Sequence, residues 1–364
     1  MRIVYVLTSL GVGGAERQAL ALAAKMAERG HTVAVLVMQP HGDEECVTSL
    51  GTVYLGMRRN PASFLAALLR GRRFFRKFRP EVAHSHCFHA NVFTRLQKIL
   101  EPRVAVVSSI HNVWEGGWPR MLAYRLTDRL AGRTSLVGNA IRARFVGLKA
   151  VSARRSVAIG NGIDPKEFAP CRARREETRE AMQASHAFVW LTAGRLAPAK
   201  DYPNLLRAFR RVMDACPVAR LWIAGGGDGA ALQAMAAGMG LGDSIHWLGL
   251  QRAMPALLDA ADGFVLGSAW EGMPLAVAEA MAMEKTVVAT DVGSVRELLG
   301  EAGRLAATRS DEALASAMLE AMRQTPEQRQ ALGRAARERI LRTFSMDTKC
   351  AEWEALYEDL IAVR

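Results

Sequence analysis

The sequence has little of what would mark a secreted or metal-holding protein. Five cysteines, Cys46, Cys87, Cys171, Cys216 and Cys350, are scattered over 364 residues with no Cys-x-x-Cys pair. An odd, dispersed set supports neither a disulfide framework nor a thiolate metal site, so reduced, structural cysteines are expected. No Asp-x-Asp occurs that could hold Mg²⁺ against a diphosphate. The apolar runs are strand-length and too short to span a bilayer. The opening run Met1–Leu7 is shorter than the core of a secretion signal and leads into glycines without a cleavage pattern, so it reads as a buried first strand. No aromatic stacking platform accompanies the basic residues, and nucleic acid is not expected as a partner.

What is present is an ordinary soluble balance, 50% apolar and 23% charged, in a chain long enough for two cores. The net charge of +12 is uneven. Residues 1–165 hold 24 Lys+Arg against 10 Asp+Glu, whereas residues 166–364 hold 24 against 26. An anionic partner is therefore expected for the first half.

Strand-like runs alternate with helix-period stretches. Ile3–Thr8, Thr32–Val37, Val82–Ser85 and Arg103–Ser108 read as strands in the first half. Phe188–Ala193, Arg220–Ala224, Gly263–Leu266 and Thr286–Ala289 restart the pattern. This βαβ punctuation predicts two α/β domains with parallel sheets covered on both faces. The stretch from Asn161 to about Glu176 reads as the linker. Near the C-terminus, Trp353, Leu356, Tyr357 and Leu360 fall on one helix face. Ligands of such sheets bind at the carboxyl ends of strands, so a cleft between the two domains is the expected site.

Two glycine-rich turns follow strands. Gly11-Val12-Gly13-Gly14 misses the dinucleotide fingerprint because Glu16 stands in the third glycine's place. Gly225-Gly226-Gly227-Asp228-Gly229-Ala230 meets only the loose form and lacks the ribose-binding acid. Both can bring backbone N–H groups to a phosphate, but NAD is not expected. In Glu271-Gly272-Met273-Pro274-Leu275-Ala276, Pro274 suits a helix start, and the N–H groups of Met273, Leu275 and Ala276 would face a diphosphate. Glu271 and Glu279 flank that end; carboxylates repel phosphate and are suited to sugar and ribose hydroxyls. Arg195 and Lys200, in the loop after Phe188–Ala193, have the chemistry of a clamp on a leaving diphosphate. His84-Ser85-His86 could tempt a zinc reading, but only one of the two imidazoles is expected to face the binding side, and a full ligand set is missing. The basic stretch Arg70, Arg72, Arg73, Phe74, Phe75, Arg76, Lys77 and Phe78 reads as an amphipathic helix expected to lie on an anionic membrane.

Taken in order, Gly13-Gly14-Ala15-Glu16-Arg17, Asn161-Gly162-Ile163-Asp164, Gly194-Arg195 with Lys200, and Glu271-x7-Glu279-Ala280-Met281-Ala282 resemble the family 4 retaining glycosyltransferases. The resemblance runs from residue 2 to the C-terminus. It implies a GT-B fold: an acceptor-binding Rossmann-like domain over 1–165, a nucleotide-sugar domain over 166–345, and a helix over 346–364 crossing back to the first domain. It implies a retaining, metal-independent hexosyl- or N-acetylhexosaminyl-type transferase without a cofactor, with a UDP- or GDP-type sugar as donor substrate. A lipid-linked or lipopolysaccharide-type glycan is the expected acceptor, reached from the cytoplasmic face of the plasma membrane.

Position by position, Arg195 and Lys200 would hold the diphosphate, Glu271 the sugar hydroxyls and Glu279 the ribose. Gly13, Gly14, Gly194, Gly225, Gly272, Met273, Pro274, Leu275 and Ala276 would complete the donor site. His111 would face the transferred sugar as an orienting group, and Glu16, Arg17, His84 and His86 would lie on the acceptor side. Trp247, Leu250 and Met254 are guessed as specificity contacts. A non-catalytic nucleotide-sugar-binding relative, or a GT-B enzyme with a small soluble acceptor, are the alternatives. The family usually continues Ala-Met-Ala-x-Gly-x-Pro, where this sequence has Met283-Glu284-Lys285-Thr286.

Overall fold

The computed structural model describes residues 1–11, 13–39, 50–58 and 60–363. Val12, Pro40 and Cys46 lie outside the described residues. The chain forms two compact units, Met1–Gly162 with Met346–Arg364, and Ile163–Ser345.

In the first unit β1 (Arg2–Leu7), β2 (Thr32–Val37), β3 (Thr52–Tyr54), β4 (Val82–His86), β5 (Ala105–Ile110), β6 (Arg133–Leu136) and β7 (Ser156–Ala158) form one sheet in the order β3-β2-β1-β4-β5-β6-β7. In the second, β8 (Phe188–Ala193), β9 (Ala219–Ala224), β10 (Ile245–Gly249), β11 (Gly263–Leu266), β12 (Thr286–Thr290) and β13 (Arg304–Ala306) are ordered β10-β9-β8-β11-β12-β13. Every strand pair is parallel. Counted from its own first strand, the second sheet reads 3-2-1-4-5-6, the doubly wound Rossmann order, and the first reads the same with a seventh strand added at its far edge. Winding reverses between β1 and β4, and again between β8 and β11. Loops leaving those neighbours diverge and open a crevice at their carboxyl ends. Strands such as Val82–His86 and Thr286–Thr290 are buried at every residue, as a sheet covered on both faces requires.

The linker is shorter than the sequence predicts. A helix, Arg172–Ala181, begins inside the expected segment. Its arginines are docked: Arg175 and Arg179 reach the Asp262 carboxylate at 2.5 and 3.0 Å, and Arg174 pairs with buried Asp259. The end of the stretch read as linker is thus part of an ion-paired helix.

The terminal helix Met346–Ala362 belongs to the first unit. Trp353 and Tyr357 are buried in a cluster with Ile3, Tyr5, Leu22 and Met26, and Leu356 and Leu360 pack against it. The Tyr357 hydroxyl lies 2.7 Å from His84 Nδ1, and Arg29 grips Glu354 through two hydrogen bonds of 2.9 and 2.6 Å.

The basic helix spans Pro61–Phe78, capped by Asn60, whose side chain accepts from the Ser63 N–H at 2.8 Å. Its phenylalanines correct the expected membrane contact. Phe75 is buried, and Phe74 and Phe78, stacked at 5.4 Å, pack with Phe64 and Leu68 onto the same core. An amphipathic helix beside a sheet satisfies its apolar face there first. Arg70, Arg73, Arg76 and Lys77 remain exposed and Arg72 half-buried, with Arg72 and Arg76 sharing Glu101 at 3.2 and 2.9 Å.

Glu284, where the family places glycine, has φ of 58°. The left-handed conformation survives without glycine, at a cost of about 1 kcal/mol. Gly333 makes room for that turn, because a Cβ there would come within 2.2 Å of the Glu284 carbonyl.

Candidate active site

The second unit gathers the residues expected to bind a donor, except Gly13 and Gly14, which belong to the first. β8 ends at Ala193, and the chain turns over Gly194, whose N–H bonds the Ala224 carbonyl at 2.9 Å. The Tyr202 hydroxyl donates to the Gly194 carbonyl at 2.7 Å and pins the turn. A Cβ on Gly194 would sit 2.6 Å from Lys200 Cε, so the lysine runs directly across this glycine and a larger residue would push it aside. Gly225, after β9, is pressed onto the same turn, with a virtual Cβ only 1.9 Å from the Gly194 carbonyl oxygen.

β11 supplies the opposing side. Lys200 Nζ lies 2.5 Å from Glu271 Oε1, and Ser268 Oγ donates to the same oxygen at 2.7 Å. The two loops are tied by the Ala269 N–H to the Ala199 carbonyl at 2.9 Å. Lys200 and Glu271, 71 residues apart, meet because β8 and β11 are the strands flanking the switch point. Gly272, Met273 and Pro274 are buried, and the helix Leu275–Ala282 starts immediately after Pro274. Glu279 is buried on that helix, and Leu275 and Ala276 are half-exposed at its start. Gly293, φ +54°, seals the arrangement, because a Cβ there would lie 2.1 Å from the Glu271 carbonyl oxygen. Arg195 is exposed beside Gly194. Trp247, guessed as a specificity contact, packs against the hydrophobic core instead; Leu250 is exposed and Met254 buried.

In the first unit, Gly13 and Gly14 start the helix Gly14–Glu28 after β1. A Cβ on Gly13 would lie 2.3 Å from Glu16 Oε2, so the carboxylate folds back over the glycine. Glu16 is half-buried and Arg17 exposed. His86, at the end of β4, and His111, just after β5, share a hydrogen bond of 2.8 Å between Nδ1 and Nε2. His86 Nε2 is buried without a hydrogen-bond partner among the described residues. Burial lowers the His111 pKa to about 4 and that of His86 well below the ordinary value, so both are neutral at pH 7.

His84 corrects two expectations. Its ring lies 4.2 Å from that of His86, because residues two apart on a strand share a face. It is also fully buried, with Nδ1 at the Tyr357 hydroxyl and Nε2 at Ser109 Oγ, both at 2.7 Å. It anchors the terminal helix and is closed to an acceptor. Among the described residues, no group of three His, Cys, Asp or Glu side chains is placed to hold a metal ion.

The sequence reading missed Ser268, Tyr202 and Gly293, which orient the donor residues. It also missed Glu115, buried and accepting a hydrogen bond from the Tyr124 hydroxyl. Burial raises the Glu115 pKa to about 7, against opposing hydrogen bonds from Tyr124 and the His111 backbone. A carboxyl raised from 4.5 in this way contributes stability that is fully present below about pH 4.5 and is lost as pH rises through about 7. Glu115→Gln keeps an acceptor for Tyr124 and removes that slope. Compared by denaturant melts at pH 5 and pH 8, the variant should gain on wild type by up to roughly 3 kcal/mol at the higher pH. An unchanged difference between the two proteins would refute the assignment.

Residues 12–167 match the family model described as Glycosyltransferase Family 4, and residues 187–324 the model described as Glycosyl transferases group 1. The chain is 25% identical over 336 residues to the lipopolysaccharide core biosynthesis glycosyltransferase LpsD of Rhizobium meliloti, covering 92% of this chain and 91% of that one. It is 25% identical over 220 residues, 57% of either chain, to the UDP-Gal:alpha-D-GlcNAc-diphosphoundecaprenol alpha-1,3-galactosyltransferase of Escherichia coli. Against the first three curated relatives it matches, the chain spans only 26% to 57% of their length. Among solved structures it resembles Anabaena HepE in complex with UDP, with a TM-score of 0.85 and 18% identity over 99% of this chain and 100% of that one. At that identity the likeness is one of fold, and the fold is GT-B.

Proposed function

The chain belongs to the group 1 and family 4 glycosyltransferases, and from that premise we propose that it is a retaining, metal-independent enzyme. It moves a hexosyl or N-acetylhexosaminyl group from a UDP- or GDP-type sugar to a lipid-linked or lipopolysaccharide-type glycan, at the cytoplasmic face of a membrane. The observation that carries this reading is the Lys200–Glu271 pair, 2.5 Å apart at the switch point of the second sheet.

Without ligand the ammonium rests on Glu271. A diphosphate, with its denser negative charge, draws Lys200 and Arg195 to itself and leaves Glu271 to accept hydrogen bonds from the sugar hydroxyls. The N–H groups of Met273, Leu275 and Ala276 add positive charge at the same end, and Glu279 takes the ribose. As the anomeric C–O bond to phosphate breaks and the bond to the acceptor oxygen forms, negative charge grows on the leaving group, whose phosphate oxygen takes up the proton that the acceptor hydroxyl loses. Fixed cations are stronger partners for that charge than for the ground state, which is what accelerates the step. In this reading the protein cations do the work that a metal would otherwise do. Neutral His111 orients the transferred sugar, and the acceptor is bound on the side of Glu16 and Arg17. The acceptor class is supported by what the Rhizobium and Escherichia relatives are named for, and the UDP-type donor by HepE's complexes with UDP and UDP-glucose.

A thermal-shift panel of UDP, GDP, ADP, CMP and dTDP, with and without Mg²⁺, tests the donor site. A ligand at a hundred times its dissociation constant stabilises by about 2.7 kcal/mol. One diphosphate should stand out, and equally so without metal. Silence from all five would move the non-catalytic reading ahead, and a shift that needs Mg²⁺ would overturn metal independence.

A further inference from the structure

The helix Trp118–Thr127 carries its apolar stripe on the outside. Tyr124 fills the inward face and is fully buried. Trp118, Leu122 and Leu126 are spaced four apart and so form one row, yet they are 75%, 42% and 73% exposed. Trp114 just before the helix is 57% exposed, and Leu148, beyond the neighbouring helix Asn139–Gly147, is 50% exposed. Between them opens a hollow of about 350 Å³ lined in part by Trp114, Trp118, Leu122 and Leu148, with Arg125 and Arg144 on its wall. Single exposed leucines are ordinary, but a contiguous aromatic and aliphatic stripe around a hollow marks an interaction surface.

Charge selects the partner. Residues 113–149 contain seven Arg and Lys against two carboxylates, Glu115 and Asp128. Both carboxylates are buried, while Arg125, Arg129, Arg144 and Lys149 are exposed. Within residues 113–149 the exposed charges are therefore all positive, beside exposed hydrocarbon, and Glu115, which also lines the hollow, is buried. A lipid interface offers the complement: hydrocarbon for leucines, a headgroup layer for indole rings, and phosphates for guanidinium groups. The basic helix Pro61–Phe78 also exposes two leucines, Leu65 and Leu69, but matches this less well, since its phenylalanines are used in the core and no exposed aromatic ring accompanies the leucines.

We propose that the face bearing Trp114, Trp118, Leu122 and Leu126 docks on an anionic lipid bilayer, with Arg125, Arg129 and Arg144 at the lipid phosphates. The proposal rests on the reading that the acceptor is borne by lipid, because such an acceptor brings this unit to a membrane surface. No described helix is long and apolar enough to cross a membrane.

Sedimentation of the full chain with phosphatidylcholine vesicles, and with vesicles also containing phosphatidylglycerol, decides it. Wild type should pellet with the anionic vesicles and much less with the neutral ones. The triple variant Trp118→Glu, Leu122→Glu, Leu126→Glu should bind at least about ten-fold more weakly, whereas Arg73→Glu with Lys77→Glu should lose less than the triple variant. Leu126→Glu alone, at a highly exposed position, serves if the triple variant does not fold. Wild type that ignores anionic vesicles overturns the proposal, as does a stripe variant that pellets like wild type or a larger loss from the Arg73/Lys77 pair. Because nucleoside diphosphates are expected to bind the second unit, their thermal shift separates the two ideas. Lost docking with an intact shift leaves the transferase reading standing.

Discussion

Lys200→Ala is expected to cut turnover by about 10²–10³-fold, the usual loss when one preorganised group that stabilises developing negative charge is removed. The fold should be unaffected. The Lys200–Glu271 pair is partly solvated, with side chains 21% and 13% exposed, and Ser268 still donates to Glu271 when the lysine is gone. The informative comparison is between turnover and affinity. If the ammonium acts mainly on the leaving diphosphate, kcat for nucleotide release falls more than the thermal shift by the same nucleotide shrinks. A variant within about three-fold of wild type in kcat would remove Lys200 from the mechanism and leave its bond to Glu271 a structural one. Glu271→Ala is the companion change: it should also lose turnover, because sugar hydroxyls lose their acceptor.

Gly225→Ala is expected to be the most damaging of the small substitutions in the second unit. The added methyl would sit 1.9 Å from the Gly194 carbonyl oxygen and 2.7 Å from its carbon, both backbone atoms that no rotamer change can move. Relief requires separating the turns after β8 and β9, against the bonds from Gly194 N–H to Ala224 and from Leu196 N–H to Gly226, each 2.9 Å. Overpacking of this kind costs about 3 kcal/mol. For a unit of this size that is a fall of roughly 6–12 °C in melting temperature. Nucleotide binding should weaken as well, because the Gly194 turn carries Arg195 and Lys200. The neighbouring Gly226→Ala is the control. Its nearest atom would be Leu250 Cβ at 3.7 Å, ordinary van der Waals contact, so stability should change by less than about 0.5 kcal/mol. Equal melting temperatures for the two variants would refute the close-approach argument.

Much was legible in the sequence because it is written locally. Strand runs such as Phe188–Ala193 and Gly263–Leu266, and the strand-end segments Gly194–Lys200 and Glu271–Glu279, combine an apolar run, a turn and a helix start within a few residues. Buried parallel strands and helix starts impose those patterns whatever the rest of the chain does. The family resemblance rested on the same local segments.

Direction was not legible. The phenylalanines at 74, 75 and 78 formed an apolar face whose partner, core or membrane, periodicity does not specify; packing on the sheet gave the answer. His84 and His86 look alike in sequence and both are buried, but the terminal helix arriving from more than 260 residues away hydrogen-bonds one, and His111 the other. Glu115 gained its raised pKa only from the burial supplied by its surroundings. Likewise, the four-residue spacing of Trp118, Leu122 and Leu126 would suit a core face equally well. The sequence by itself determined the eight main strands, their order and the chemistry available at their ends. Only tertiary structure decided which face of each element turned inward, because a side chain's burial depends on what distant parts of the chain place against it.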